Sequence, residues 1–179
     1  MTKSFGEAMQ LSREEVRRQL YYCLSSEAWV EALLQRWPVQ TMDELQRLCD
    51  EETKSLHEKD WLEAFSHHPR IGGDIEALRA KFDQKKAGTN SRPLDWSQQE
   101  QSGVVGASDQ VLRELAELNQ KYFEKFGFVF LICATGKGAS EMLEALRLRI
   151  LNSREKELEN AAEEQRKIMQ LRLAKWIQK

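Results

Sequence analysis

A chain of 179 residues is long enough to bury a core without disulfides or a structural metal, and it fits one domain better than two. Its 27 Lys and Arg stand against 29 Asp and Glu, a net charge of −2, which argues against a nucleic-acid binder built on a basic face. Cys23, Cys49 and Cys133 lie far apart with no C-x-x-C pair, so neither a disulfide framework nor a thiolate zinc site is expected and a reducing compartment fits.

Only 3 prolines and 9 glycines among abundant Leu, Glu, Gln, Lys and Arg point to an all-α protein. Residues 1–10 form a candidate disordered start, and Met1-Thr2-Lys3-Ser4-Phe5-Gly6 has no apolar signal core. No apolar run is long enough to span a bilayer and Trp176-Ile177-Gln178-Lys179 is no peroxisomal address, so a soluble cytoplasmic protein without a membrane partner is expected.

Ser12-x-x-Glu15 reads as a capping box that opens a helix carrying Val16, Leu20 and Leu24. A second helix presents Trp29, Leu33 and Leu34 and stops before Pro38. Thr41-x-x-Glu44 opens a third with Leu45 and Leu48, and a short fourth carries Trp61, Leu62 and Phe65. Next comes His67-His68-Pro69-Arg70-Ile71-Gly72-Gly73. Proline disfavours the α conformation at the residue before it, so His68 is expected to leave the helix and stand on a turn beside the helix's partial negative end. An imidazole there is a group able to exchange protons near neutral pH, although the same pattern also suits a histidine that only ends a helix.

Residues 81–95 lose periodicity and have loop composition. Ser97-Gln98-Gln99-Glu100-Gln101 is a further capping box, whose helix start offers N–H groups to an anionic or carbonyl ligand as well as to its own cap. Helical spacing resumes at Ser108 with Val111, Leu112, Leu115, Leu118 and Tyr122, and ends near Gly127. Phe128 to Ala134 is apolar throughout and has no evident partner strand. It reads as an extended connection whose backbone groups find partners other than a sheet. Two more helices are expected, about Ser140 to Leu151 and Ser153 to Lys179, the second with Leu158, Ala162, Gln165, Met169, Arg172 and Trp176 near one another in turn. An inward-turned Arg172 would need an anionic partner, for which a substrate carboxylate is a natural candidate.

Ala134-Thr135-Gly136-Lys137-Gly138 is not a phosphate loop, because Leu131 sits where the first glycine belongs and Gly138 where a Ser or Thr belongs. The turn still lets backbone N–H groups approach a small polar ligand. His57, His67 and His68 are not paired at the spacing that sets two imidazoles on one helical face, so metal-free chemistry is preferred.

Five motifs in order carry a resemblance. They are Leu24-Ser25-Ser26-x-x-Trp29, then Asp60-Trp61-Leu62-x-Ala64-Phe65-x-x-His68-Pro69-Arg70-Ile71-Gly72, then Trp96-Ser97-x-x-Glu100-Gln101-x-Gly103-Val104. Phe126-Gly127-Phe128-x-Phe130-x-Ile132-Cys133-Ala134-Thr135-Gly136-Lys137 and Glu164-x-x-Lys167-Ile168-x-x-Leu171-Arg172-Leu173 follow. Together, over about residues 11 to 177, the chain resembles the 2-oxo-4-hydroxy-4-carboxy-5-ureidoimidazoline (OHCU) decarboxylases of urate breakdown.

The resemblance implies a single all-α domain over residues 1–179, a helical bundle of about seven to nine helices with one extended apolar connection. It implies a cofactor-free homodimeric lyase that converts OHCU to (S)-allantoin and carbon dioxide. His68 matches the family's catalytic histidine and Glu100 is its expected helper, whereas His67 falls outside the motif. Pro69, Ser97 and Gln101 match substrate-lining positions. Ile132, Cys133, Ala134, Thr135 and Gly136 match a segment offering main-chain contacts, and Arg172 an arginine near the substrate's charged or carbonyl groups. No metal site is implied. Two departures stand out: Gly138 replaces a usual Ser, and the loop from Lys81 to Pro93 is longer than the pattern. The competing readings are a non-catalytic interaction module of the same fold and a metal-dependent ureido hydrolase.

Overall fold

A computed structural model of the chain describes residues 3–69, 109–135 and 137–178. Eight helices occupy these residues: α1 (Phe5–Met9), α2 (Arg13–Cys23), α3 (Glu27–Gln35), α4 (Met42–Thr53), α5 (Glu58–Ser66), α6 (Asp109–Phe126), α7 (Ala139–Arg149) and α8 (Arg154–Trp176). The all-α expectation holds, since the sheet among the described residues is a two-residue parallel pair, β1 (Lys3–Ser4) with β2 (Ile177–Gln178). The expected loop over 81–95 and the capping box at Ser97 lie outside the described residues.

The chain forms two compact units, Met1–His67 with Ala162–Lys179 and His68–Ala161. In the first unit, residues 3–9 depart from the expected disordered start. Ser4 Oγ accepts the Glu7 N–H at 3.3 Å and Glu7 Oε2 accepts the Ser4 N–H at 2.7 Å, so a capping box opens α1 while β1 pairs with Ile177 and Gln178. The box predicted at Ser12 opens α2 in the same way, with Ser12 Oγ to the Glu15 N–H at 3.3 Å and Glu15 Oε2 to the Ser12 N–H at 3.0 Å.

The box predicted at Thr41 is only half made. Thr41 Oγ1 accepts the Glu44 N–H at 3.1 Å, but Glu44 turns to the Gln40 N–H at 2.7 Å. Ser26, unread as a cap in the sequence, begins α3 by accepting the Trp29 N–H at 3.5 Å.

Leu20, Leu24, Trp29, Leu33, Leu45 and Phe65 are buried in this unit, and Trp29 Nε1 donates to the Cys49 carbonyl at 3.0 Å. From Ala162 onward α8 contributes Ile168, Met169, Leu173 and Trp176, the last stacked on Trp37 at 6.3 Å between ring centroids. The last helix ends at Trp176 instead of continuing to Lys179, because Ile177 and Gln178 pair with β1.

In the second unit α6 packs against α7, with Leu112, Leu115, Tyr122 and Phe126 buried and Val111 and Leu118 half-buried. Gly127 ends α6 at φ +80°, a left-handed conformation open to glycine, and its N–H reaches the Phe123 carbonyl at 2.8 Å. The chain then enters the buried run from Phe128 to Ala134, extended as expected. Tyr122 centres an aromatic cluster there, 4.6 Å from Phe126, 5.3 Å from Phe130 and 5.9 Å from Phe128.

The first turns of α8 correct the predicted stripe. Glu157 and Ala161 are fully buried, whereas Leu158 and Ala162 are half-buried. The true face therefore runs 157, 161, 165, 168 and 172 at helical spacing, one position off at its start.

Candidate functional site

α5 leads into the histidine motif. Its first turn is held by Asp60, a buried carboxylate whose Oδ2 accepts the His57 N–H at 2.9 Å. The helix ends at Ser66 and His67 caps it, donating its N–H to the Ala64 carbonyl at 3.4 Å. His68 follows on a bend, half-buried, as its position before Pro69 requires, and Pro69 is exposed.

His67 has its own anchor in the first unit, with Nε2 lying 3.0 Å from the Tyr21 hydroxyl. Partial burial, and then the negative charges of Glu63 and Glu27, hold that phenol above its usual range. Tyr21 is thus a neutral hydroxyl at neutral pH, and it ties to α2 the residue that precedes His68.

The segment Ile132, Cys133 and Ala134 is buried and extended, and Thr135 is exposed at the turn. Lys137 closes that turn twice: its N–H donates to the Ala134 carbonyl at 3.1 Å and its Nζ to the Cys133 carbonyl at 2.9 Å. Upstream, the Leu131 carbonyl accepts Arg149 Nη1 at 2.6 Å. These three carbonyls have found side-chain and turn partners in place of a sheet. Gly138 is the cap residue of α7, in β conformation, and its N–H donates to Glu141 Oε2 at 2.8 Å. A serine there would add the other half of a capping box, so the departure from the family pattern falls on a helix start.

Arg172 is buried on α8, 9% exposed, and its Nη1 donates to the Tyr22 carbonyl at 3.2 Å. That carbonyl belongs to the last turn of α2, where the helix carries partial negative charge suited to a guanidinium. Neighbouring Cys23 is fully buried; burial pushes its thiol up to about 12, with Arg172 opposing, so it is inert as a nucleophile. Ser97, Glu100, Gln101 and Gly136 lie outside the described residues.

The sequence reading missed the charged pair beneath the extended segment. Glu157 is fully buried and takes Arg149 Nε at 2.6 Å and the Tyr122 hydroxyl at 2.7 Å on Oε1. Its Oε2 takes Asn152 Nδ2 at 2.9 Å and Asn160 Nδ2 at 3.1 Å. The signal was available in the spacing: Glu157 lies four and eight positions before Ala161 and Gln165, on the buried face once its phase is set correctly. Burial, and then the hydrogen bond to Glu157, pushes the Tyr122 phenol well above its ordinary value.

The family model for OHCU decarboxylase matches residues 9–174. The chain is 36% identical over 169 residues to the Arabidopsis thaliana uric acid degradation bifunctional protein TTL, covering 94% of this chain and 48% of that protein. It is 38% identical over 81 residues to the 2-oxo-4-hydroxy-4-carboxy-5-ureidoimidazoline decarboxylase of Amia calva, covering 45% of this chain and 46% of that one. These alignments span about half the length of each curated relative. A crystal structure of OHCU decarboxylase in the presence of (S)-allantoin superposes with a TM-score of 0.68 at 32% identity, covering 92% of this chain and 97% of that one.

Proposed function

The chain belongs to the OHCU decarboxylase family, and from that premise we propose that it converts OHCU to (S)-allantoin and carbon dioxide in urate breakdown. The observation that carries this reading is the family match over residues 9–174, which contains every motif residue assigned a role. A structure bearing the same fold at 32% identity was solved in the presence of (S)-allantoin, the product proposed for this chain.

The chemistry asks little of a cofactor. As the bond to the carboxylate breaks, its electron pair enters the neighbouring ring C=N, so no pyridoxal lysine is required as an electron sink. The ring nitrogen that receives the pair takes up a proton from solvent, the ring hydroxyl loses its proton as its oxygen becomes a carbonyl, and the former C=N carbon gains one, so that one proton is consumed overall. His68 serves as the acid and base for these transfers, from a pre-proline bend beyond the end of the helix. Glu100 orients the hydroxyl and His68, and Pro69 lines the substrate. Ser97, Gln101 and the main chain of Ile132, Cys133, Ala134, Thr135 and Gly136 bind the ureido and ring carbonyl groups, with Arg172 opposite negative charge. Proton delivery to one face makes the product chiral.

The proposal extends to a cytoplasmic homodimer. Three buried cysteines that form no disulfide support a reducing compartment, and no helix among the described residues is long and apolar enough to cross a membrane. Light scattering should return twice the chain mass.

The deciding assay generates OHCU from urate with the two preceding enzymes and follows ultraviolet decay and circular dichroism. Faster decay with build-up of circular dichroism of the sign given by authentic (S)-allantoin is expected, and it should persist in chelator. Decay at the spontaneous rate to a racemic product would favour a non-catalytic module, and loss of activity in chelator a metal-dependent enzyme.

A further inference from the structure

We infer that Arg149, locked by Glu157, is a positioning residue that sets the direction of the Ile132 amide, the first main-chain donor of the substrate-facing segment. This deepens the decarboxylase reading and rests on it. The extended run from Phe128 to Ala134 has no strand beside it among the described residues. Arg149 Nη1 instead takes the Leu131 carbonyl at 2.6 Å, while its guanidinium covers the Phe130 ring at 4.7 Å.

A peptide unit is planar and trans, with its C=O and N–H pointing opposite ways. Holding the Leu131 oxygen toward Arg149 therefore turns the Ile132 N–H to the other side of the segment. The guanidinium has little freedom of its own: Nε donates to Glu157 Oε1 at 2.6 Å, and Nη2 lies 2.5 Å from the same oxygen. Glu157 is fixed in turn by Tyr122 from α6, by Asn152 from the turn before α8, and by Asn160 from α8.

A buried ion pair is costly to desolvate, and a single carbonyl is satisfied more cheaply by a neutral donor. What the pair adds is direction, because the planar fork of Arg149 meets carboxylate and carbonyl at a fixed angle. A lysine at 149 keeps the charge and loses that angle.

The test uses Arg149→Lys and Glu157→Gln in the full chain, with amide exchange of the 129–135 peptide measured without substrate and kcat and KM measured on OHCU. Arg149→Lys should retain the wild-type helical spectrum and exchange faster in that peptide alone. Its KM should rise on the order of tenfold, a quantity independent of the fraction folded, as expected for donors displaced by part of an ångström. Glu157→Gln should shift both readouts the same way and by less, which covers the case in which one variant folds poorly. Unchanged exchange and KM in folded Arg149→Lys overturn the inference. Faster exchange throughout the chain with unchanged KM also overturns it, as a purely structural role. Wild-type protein that leaves OHCU at its spontaneous rate overturns the decarboxylase reading and the substrate role with it, while the exchange measurement still reports on the clamp separately.

Discussion

His68 and His67 are adjacent identical side chains in different settings. His67 ends α5 in a helical conformation and meets the Tyr21 hydroxyl, so its ring is committed to holding the turn. His68 is the residue proline excludes from the helix, half-buried on the bend that follows, and it is the one we propose for proton transfer. Replacing His68 with Asn should lower turnover of OHCU on the order of a hundredfold or more while thermal unfolding stays near wild type. A variant that keeps most of its rate removes His68 from the mechanism. The same substitution at His67 should leave the pH profile unchanged, because the group proposed to titrate in the reaction is its neighbour.

Helix starts account for much of the local architecture and for two measurable effects. Gly138 leaves α7 with half a capping box, and its φ of −84° and ψ of 167° suit a serine without strain. Gly138→Ser should therefore stabilise the protein by a few tenths of a kcal/mol in urea unfolding, the difference between glycine and serine caps. The boxes of α1 and α2 respond to acid. Hydrogen bonds from the backbone and hydroxyl of Ser4 lower Glu7, and those from the hydroxyl and backbone of Ser12 lower Glu15, from an ordinary 4.5. Both carboxylates are thus more acidic folded than unfolded, and their contribution is complete above pH 4.5 and fades as pH falls through the lowered values. Glu15→Gln should flatten the acid limb of the stability curve below pH 4.5 and leave its slope near neutrality unchanged.

At the scale of the whole molecule, the expectation of one folding domain meets a chain whose contacts gather in two units. We expect a single cooperative transition. Leu20→Ala in the first unit and Leu146→Ala in the second each empty a fully buried site and should cost about 2–5 kcal/mol. Calorimetry should show one peak displaced by either substitution; two peaks that move independently would mean two domains.

Much of this architecture was legible because it is local. The boxes at Ser12 and, in part, Thr41 need four consecutive residues, the exit of His68 needs Pro69, and the end of α6 needs Gly127. Composition gave the all-α class, and the apolar run from Phe128 to Ala134 announced an extended segment with unconventional partners. The pattern failed where a partner comes from far along the chain. β1 is ordered by residues at the opposite terminus, and the face of α8 began at Glu157 because Tyr122 and Arg149 were there to satisfy a buried carboxylate. The sequence by itself determined most of the helices, the capping box of α2 and the family motifs, since these depend on short-range sterics and hydrogen bonding. Only tertiary structure decided that Arg149 would grip the Leu131 carbonyl, because burying an ion pair is favourable only where distant elements converge to complete it.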